Sequence, residues 1–168
     1  GLAWNKDDIL LFVDFEQTIN KVPAAGGKPQ KLTLDLAGAS GARFPSFLPD
    51  QNRFFYLTRG NSGANAVRLG SLDGRTNKSI LASQRTAVEL VVAPGGSPAW
   101  LVYASDGAIL AHRFNLTSLE LEGKPVELSN SVGTAVGGTG RALFSAHSRL
   151  LAYRAPESSL YRLVWYDP

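Results

Sequence analysis

Cysteine is absent from this chain of 168 residues. Its absence excludes disulfide bonds, thiolate metal sites and cysteine nucleophiles together. Long apolar runs are absent too: stretches such as residues 9–13 and 88–92 cover about five residues, whereas a membrane-spanning helix needs roughly 20. We therefore predict no membrane span within the chain. Since the first residues do not form a basic and then apolar leader, we expect any export signal or anchor to lie outside this sequence.

A concentrated basic stretch is also missing. The formal net charge of +3 at pH 7 is compatible with an acidic partner. However, the lysines and arginines are dispersed along the chain, and no run of about five or more like charges occurs. We therefore predict that nucleic acid is not a partner.

What the sequence does contain is a repeating unit of short apolar strands and polar turns. An aromatic residue ends the second strand of each unit, at Phe12, Tyr56, Tyr103 and Tyr153, with intervals of 44, 47 and 50 residues. A period of this size, without a helical segment and with Gly, Pro and Asp at the turns, is typical of β-propeller blades, which are four-stranded sheets arranged around an axis. We predict an all-β fold with about four such blades.

The turn residues set the blade limits. We interpret residues 1–168 as a single propeller segment, with blades at about 3–33, 43–83, 86–129 and 140–168. Gly26 and Gly27 are expected to adopt positive φ between strands, and Asp73-Gly74 is the strongest signal for a two-residue hairpin turn. Asp167-Pro168 stands where a further turn would begin, so we expect the fourth blade to lack its outer strand.

Several of these strands and turns match a known repeat. WNKDDIL at 4–10, FPSFLPD at 44–50, LDG at 72–74 and LLAYR at 150–154 resemble the TolB-type, WD40-like (PD40-type) propeller repeats of bacteria. LELEGKPV at 119–126 and LVWYD at 163–167 are similar to the propeller regions that follow the kinase domain in certain bacterial serine/threonine protein kinases. The resemblance covers nearly the whole chain, and it is specific for fold rather than for function.

The resemblance implies a partial ring, because TolB-like propellers have more blades than this chain provides. It also implies an extracytoplasmic location, in the periplasm or at the cell surface. An unclosed propeller exposes apolar blade faces and an unpaired strand edge, both of which favour association. Two copies arranged head to tail would supply about eight blades, at the upper end of the usual four to eight. We therefore expect a homodimer or a ring that a partner completes.

Catalytic signatures are not found. The chain has no glycine-rich phosphate loop followed by a helix, no His-Arg-Asp run and no Asp-Phe-Gly run. The segment 60–63 fails the nucleophile-elbow pattern because Ala64 occupies the position of the last glycine, and the glycines of 133–140 lack the Gly-Lys-Thr ending of a phosphate loop. His112 falls inside a strand and His147 in a turn. We predict no enzymatic activity and no cofactor.

A metal site is not indicated either. Carboxylates gather near the first unit, but they lack the spacing of a calcium-binding loop; they are Asp7, Asp8, Asp14 and Glu16. We interpret them as turn-forming residues.

Candidate binding residues lie where one unit passes into the next or on loops that link strands. In propellers such loops line the axial mouth, where ligands and peptides commonly bind. The residues are Arg43, Asn65, Arg85, Thr86 and Arg141. The first hypothesis is a non-enzymatic binding or sensor module for a protein or peptide, as the extracytoplasmic part of a receptor-like kinase or as a TolB-like protein. The alternative is the gating propeller of a serine hydrolase or peptidase whose catalytic domain is encoded elsewhere.

Overall fold

The structure is a computed structural model that describes residues 1–60, 65–84, 86–133 and 143–155, together with the backbone of 161–165. Within these residues the regular secondary structure consists of β-strands, without a helix. The chain divides into two compact units, residues 1–85 and 86–168. Each unit contains two antiparallel sheets whose strands follow one another in sequence order.

The first sheet of unit 1 is built from short strands: β1 (Leu2–Trp4), β2 (Ile9–Val13), β3 (Ile19–Pro23) and β4 (Gln30–Lys31). The second sheet has longer strands: β5 (Gly41–Phe47), β6 (Arg53–Arg59), β7 (Ala66–Ser71) and β8 (Asn77–Ala82). Short connections suffice because every neighbouring pair is antiparallel.

The core of unit 1 lies between its two sheets. Leu11 and Ile19 of the first sheet pack with Phe54 and Tyr56 of the second, and all four side chains are buried. The Phe54 and Tyr56 rings have centroids 5.9 Å apart. Gly70 makes this packing possible, because a Cβ there would lie 3.0 Å from the Phe54 ring. Aromatic side chains of the second sheet thus pack against aliphatic side chains of the first, as expected for a sheet-on-sheet core.

A polar contact joins the two sheets at one edge of unit 1. The buried Asn5 side chain donates from Nδ2 to Gln51 O (2.7 Å), and Lys6 N donates to Gln51 Oε1 (2.7 Å). Asn5 Oδ1 also accepts from Ile9 N (2.8 Å), which shapes its own turn. The β1–β2 turn is therefore fastened to the β5–β6 turn.

Unit 2 repeats this arrangement. Its first sheet contains β9 (Val88–Val92), β10 (Ala99–Ser105), β11 (Ala108–Asn115) and β12 (Glu120–Ser129). Its second sheet contains β13 (Phe144–His147), β14 (Leu150–Arg154) and β15 (Tyr161–Trp165). Leu151 of this second sheet packs against Val102 and Ile109 of the first, and these three form part of the core of the unit.

The observed strands confirm the predicted all-β fold. The marker aromatics Phe12, Tyr56, Tyr103 and Tyr153 lie on β2, β6, β10 and β14, the second strand of each sheet. Three sheets have four strands, and the last has three within the described residues.

The turn predictions are only partly confirmed. Gly26 and Gly27 have positive φ, at 96° and 126°. The two-residue hairpin predicted at Asp73-Gly74 is wrong, because the connection spans residues 72–76 and only Gly74 has positive φ, at 73°. Asp73 instead accepts from Ser71 Oγ (2.5 Å) and Arg75 N (3.1 Å), so its side chain organises a wider turn.

Candidate functional site

Three connections meet at one edge of unit 1, which we call the linker edge: the β2–β3 turn, the segment between the two sheets and the β6–β7 connection. Ala42 N donates to Gln17 O (2.8 Å), and Ser40 N donates to Arg59 O (2.8 Å). The linker edge is formed by residues 14–17, 40–43, 59–60 and 65. It is the edge opposite the Asn5–Gln51 contact, because successive turns of an antiparallel sheet alternate between its ends.

Arg43 lies at the linker edge, as the third residue of β5 rather than on a loop. Its side chain is half-buried, and Nε donates to Gln17 Oε1 (3.3 Å). The close approach depends on Gly41, because a Cβ at that position would lie 2.5 Å from Gln17 Cβ. The guanidinium is therefore held against the β2–β3 turn by a neutral acceptor and keeps its positive charge at this edge.

Asn65 also lies at the linker edge. Its Oδ1 accepts from Gly60 N (3.2 Å), so the side chain fastens the ends of the β6–β7 connection. Arg43 is on β5 and Asn65 immediately precedes β7, so the two residues flank the end of β6 on the same edge of the sheet. The structure thus puts two of the five predicted candidates on one edge of the sheet.

The other three candidates belong elsewhere. Thr86 is in unit 2, where it is buried and its Oγ1 donates to Ala104 O (2.8 Å). This hydroxyl therefore supports the backbone of β10. Arg85 and Arg141 lie outside the residues that the structure describes. A binding role for Arg85, Thr86 and Arg141 stays a prediction.

Phe15 is a surface residue of the linker edge that sequence reasoning missed. It lies in the β2–β3 turn with its side chain fully exposed. The turn around it is well defined: Asp14 Oδ1 accepts from Thr18 N (2.8 Å), and Asp14 Oδ2 accepts from Asn20 Nδ2 (2.8 Å). Its position between two turn-forming carboxylates, Asp14 and Glu16, is the sequence signal that could have revealed it, because a side chain in such a turn is not part of a sheet core.

The electrostatics of this turn follow from its hydrogen bonds. The Thr18 backbone N–H holds the pKa of Asp14 below its usual range, although partial burial opposes the shift, and the Asn20 amide adds to the lowering. The carboxylate therefore stays ionised and keeps the turn closed at neutral pH. The Phe15 ring is presented on a turn whose backbone is already ordered, which reduces the entropy lost when a partner binds.

The histidines do not form a catalytic group with the described residues. His112 Nε2 lies 3.1 Å from Gly123 O, and His147 Nδ1 lies 3.2 Å from Ser148 Oγ. Within the described ranges, neither ring is hydrogen-bonded to a carboxylate that would orient it as a base. His147 is the last residue of β13 rather than a turn residue as predicted, and Ser148 follows it directly in the chain, so this Ser-His contact is a local one between neighbours.

Among the residues that the structure describes, no group of three or more His, Asp or Glu side chains is placed to hold a metal ion. No helix in the described part of the chain is long and apolar enough to cross a membrane.

The comparisons with known proteins concern the fold. No protein-family model and no curated protein matches the sequence. TolB from Acinetobacter baumannii is 14% identical, with a TM-score of 0.57 over 89% of this chain and 35% of TolB. A protein described as TolB from Agrobacterium tumefaciens is 16% identical, with a TM-score of 0.61 over 97% of this chain and 56% of that protein.

The β-propeller domain of the Trilobed protease from Pyrococcus furiosus is 15% identical, with a TM-score of 0.54 over 99% of this chain and 68% of that domain. The chain thus spans between about a third and two thirds of the length of these structures. The four small meander sheets and these similarities together show that the chain has the fold of part of a TolB-like β-propeller.

Proposed function

We propose that this chain is a non-enzymatic propeller module that binds a protein or peptide through the linker edge. The observation that carries the proposal is the fully exposed Phe15 ring on a hydrogen-bonded turn, beside the half-buried Arg43. Aromatic and arginine side chains dominate the binding energy of protein interfaces. The exposed Phe15 ring and Arg43 lie on the same edge, so this edge offers a partner the two side-chain types that interface hot spots use most.

The proposal extends to residues 1–168 as one propeller segment that works outside the cytoplasm. The resemblance to TolB-type repeats and to kinase-linked propellers supports this context. The module is then either the external part of a receptor-like kinase or a TolB-like protein. A kinase domain encoded upstream of this segment would support the first arrangement.

Peptide selection tests the binding surface directly. The purified chain would be immobilised and used to select from a random linear peptide library, and the affinities of the selected peptides measured by calorimetry. Phe15→Ser is expected to weaken them by tenfold or more, in line with a loss of roughly 2 kcal/mol at a hot spot. Arg43→Gln should weaken them less, because the lost charge is partly solvated.

The matched control is Arg75→Gln, which removes an equal charge from the exposed turn at the opposite edge of the same sheet. The proposal is wrong if the selected peptides bind the Phe15 and Arg43 variants as tightly as the original chain. It is equally wrong if no peptide is enriched above a blank surface.

Association with a second copy is part of the proposal. β1 presents Leu2 and Trp4 on the side away from the second sheet, and they are 68% and 63% exposed. Leu10 and Phe12 are their register partners on β2 and therefore share this face. An exposed apolar face of this kind on a sheet favours burial against a matching sheet.

The propeller of a serine hydrolase is the second candidate. The similarity to the propeller domain of the Trilobed protease favours it, since that propeller is a domain of a protease. An α/β-hydrolase domain encoded downstream would support this candidate. In either arrangement we expect the purified chain to show neither phosphotransfer nor peptidase activity. Turnover that disappears on substitution of His112 or His147 would contradict that expectation.

A further inference from the structure

An apolar cavity lies within unit 2, between the β9–β12 sheet and the β13–β14 hairpin; we call it the hairpin cleft. Its sheet wall consists of Val91, Trp100, Val102, Ala111, Val126 and Leu128, and its other wall is the hairpin segment 146–151. Its volume is about 320 Å³. Small-molecule sites in proteins span roughly 300–1,000 Å³, so this cleft suits a small ligand.

The strand register explains why the sheet wall is continuous. Trp100 is paired with Val91, Val102 with Ala111, and Ala111 with Val126. Paired residues point to the same side of a sheet, so these side chains form one apolar surface. Part of this surface remains in solvent, since Val126 is 52% exposed.

Glu89 holds the hairpin at a fixed distance from that wall. Its Oε2 accepts from Ala146 N (2.5 Å) and from Ser145 Oγ (3.4 Å), although the residues lie more than 50 positions apart. Ala146 and Ala111, on the two walls, are both too small to fill the space between them. The cleft is therefore preformed, which lowers the cost of ligand binding.

The guanidinium of Arg149 lies at the mouth of the cleft. Arg149 lines it from the hairpin turn, is exposed, and makes no ion pair or hydrogen bond with the described residues. A free guanidinium binds a carboxylate through two parallel hydrogen bonds. Among the described residues, the cleft thus joins an apolar interior to the guanidinium of Arg149 at its opening, with the His147 ring also in its lining.

From this combination we infer that the hairpin cleft binds a small aliphatic carboxylate. The alkyl chain lies along Trp100, Val102 and Val126, and the carboxylate lies at Arg149. Each buried methylene should raise the affinity about fourfold, the factor that follows from hydrophobic transfer. The affinity should stop rising once the chain fills the cleft.

Titration with carboxylates of increasing length tests the inference. Butanoate, hexanoate and octanoate would be added to the intact chain while the indole N–H resonances of its three tryptophans are followed by NMR. The Trp100 signal, assigned from its loss in Trp100→Phe, should shift in a saturable way, with affinity rising from butanoate to octanoate. Octanol and octylammonium serve as neutral and cationic probes of the same length, and both should bind more weakly than octanoate.

Two variants test separately how much the charge and the apolar wall contribute to binding. Arg149→Gln should weaken octanoate about threefold to fivefold and leave octanol unchanged, as expected for one exposed ion pair. Val126→Asp should weaken octanol, because it makes the wall polar, and should weaken octanoate more, because it adds a like charge. Because both side chains are exposed, the variants are expected to fold, which a thermal melt verifies; Arg75→Gln in unit 1 is the matched charge control and should bind like the original chain.

The inference is wrong if octanoate produces no saturable shift of the Trp100 resonance. It is also wrong if octylammonium binds as tightly as octanoate, or if Arg149→Gln leaves the preference for octanoate over octanol intact. These outcomes leave the proposed peptide surface of unit 1 untouched, since that surface is tested by other residues and another readout.

Discussion

Each of the two sheets of unit 1 has a marker aromatic on its second strand, but the two side chains are buried to different extents. Phe12 on β2 is half-buried, whereas Tyr56 on β6 is 1% exposed. The reason is direction: Tyr56 packs with Leu11 and Ile19 of the first sheet, while Phe12 shares its face with the exposed Leu2 and Trp4. A marker on the second strand is thus enclosed only where another sheet covers the face on which it lies.

The second sheet also contains a polar network, which is built around the buried side chains of Tyr56 and Arg68. Tyr56 OH donates to Asn77 Oδ1 (2.8 Å), and Arg68 donates to the same oxygen from Nε (3.1 Å) and Nη2 (3.0 Å). Asn77 Nδ2 in turn donates to Asp35 O (2.8 Å). Burial raises the pKa of Tyr56, although the Arg68 hydrogen bond and charge oppose the shift. The network therefore joins β6, β7 and β8 to the segment that links the two sheets.

The sharpest test of the comparison removes one large side chain from each sheet. Phe54→Ala in the second sheet should lower the free energy of unfolding by about 3–5 kcal/mol, the usual cost of a buried phenylalanine. Leu2→Ala in the first sheet should cost below about 0.5 kcal/mol, because the side chain is already exposed. Urea unfolding followed by circular dichroism measures both. Equal losses would show that the two sheets are covered alike.

The polar network should show the next largest effect. Asn77→Ala leaves the buried Arg68 guanidinium without its main acceptor, and the expected loss is about 1–3 kcal/mol. The double variant Arg68→Met, Asn77→Leu removes both partners and should be more stable than Asn77→Ala alone. Urea unfolding measures the stability of both variants. A double variant less stable than Asn77→Ala would contradict the role given to Asn77 as the acceptor for Arg68.

Self-association should be sensitive to the open face of the first sheet. Trp4→Ser removes an exposed indole from β1 and should raise the dimer dissociation constant by roughly tenfold, a change of about 1.4 kcal/mol. Light scattering over a dilution series gives the mass of each variant. Phe15→Ser removes an exposed aromatic from the linker edge and is the control. A mass that stays near 18.0 kDa at every concentration would refute association.

The smallest expected effect concerns acid stability of the β2–β3 turn. The pKa of Asp14 is lowered in the folded chain, so its stabilising contribution is present above the unfolded value of about 3.9 and is lost as the pH falls through the folded pKa. The melting temperature of Asp14→Asn should therefore approach that of the original chain as the pH falls through the folded pKa of Asp14. Asp7→Asn is the matched control in the same sheet, and a difference that persists undiminished in acid would contradict the assignment.

The candidate sites show how far sequence reasoning reaches. The sequence predicts that Arg43 and Asn65 lie where units or strands are linked, and in the structure both lie at the linker edge. Phe15 was missed because its neighbours read as turn carboxylates, and the burial of Thr86 depends on its distant contact with Ala104. The hairpin cleft joins Trp100 to Arg149 across two sheets, a proximity that no local pattern records.

The sequence by itself determined the strands, their order and the position of each marker aromatic, because alternation and turn residues act over a few neighbouring positions. It also determined that Phe12 and Tyr56 would occupy equivalent strands. Only the tertiary structure decided which of their faces is covered, which turns touch as Asn5 and Gln51 do, and where a cleft is left open. Those outcomes depend on the packing of sheets far apart in sequence, where shape and side-chain volume rather than local periodicity set the contacts.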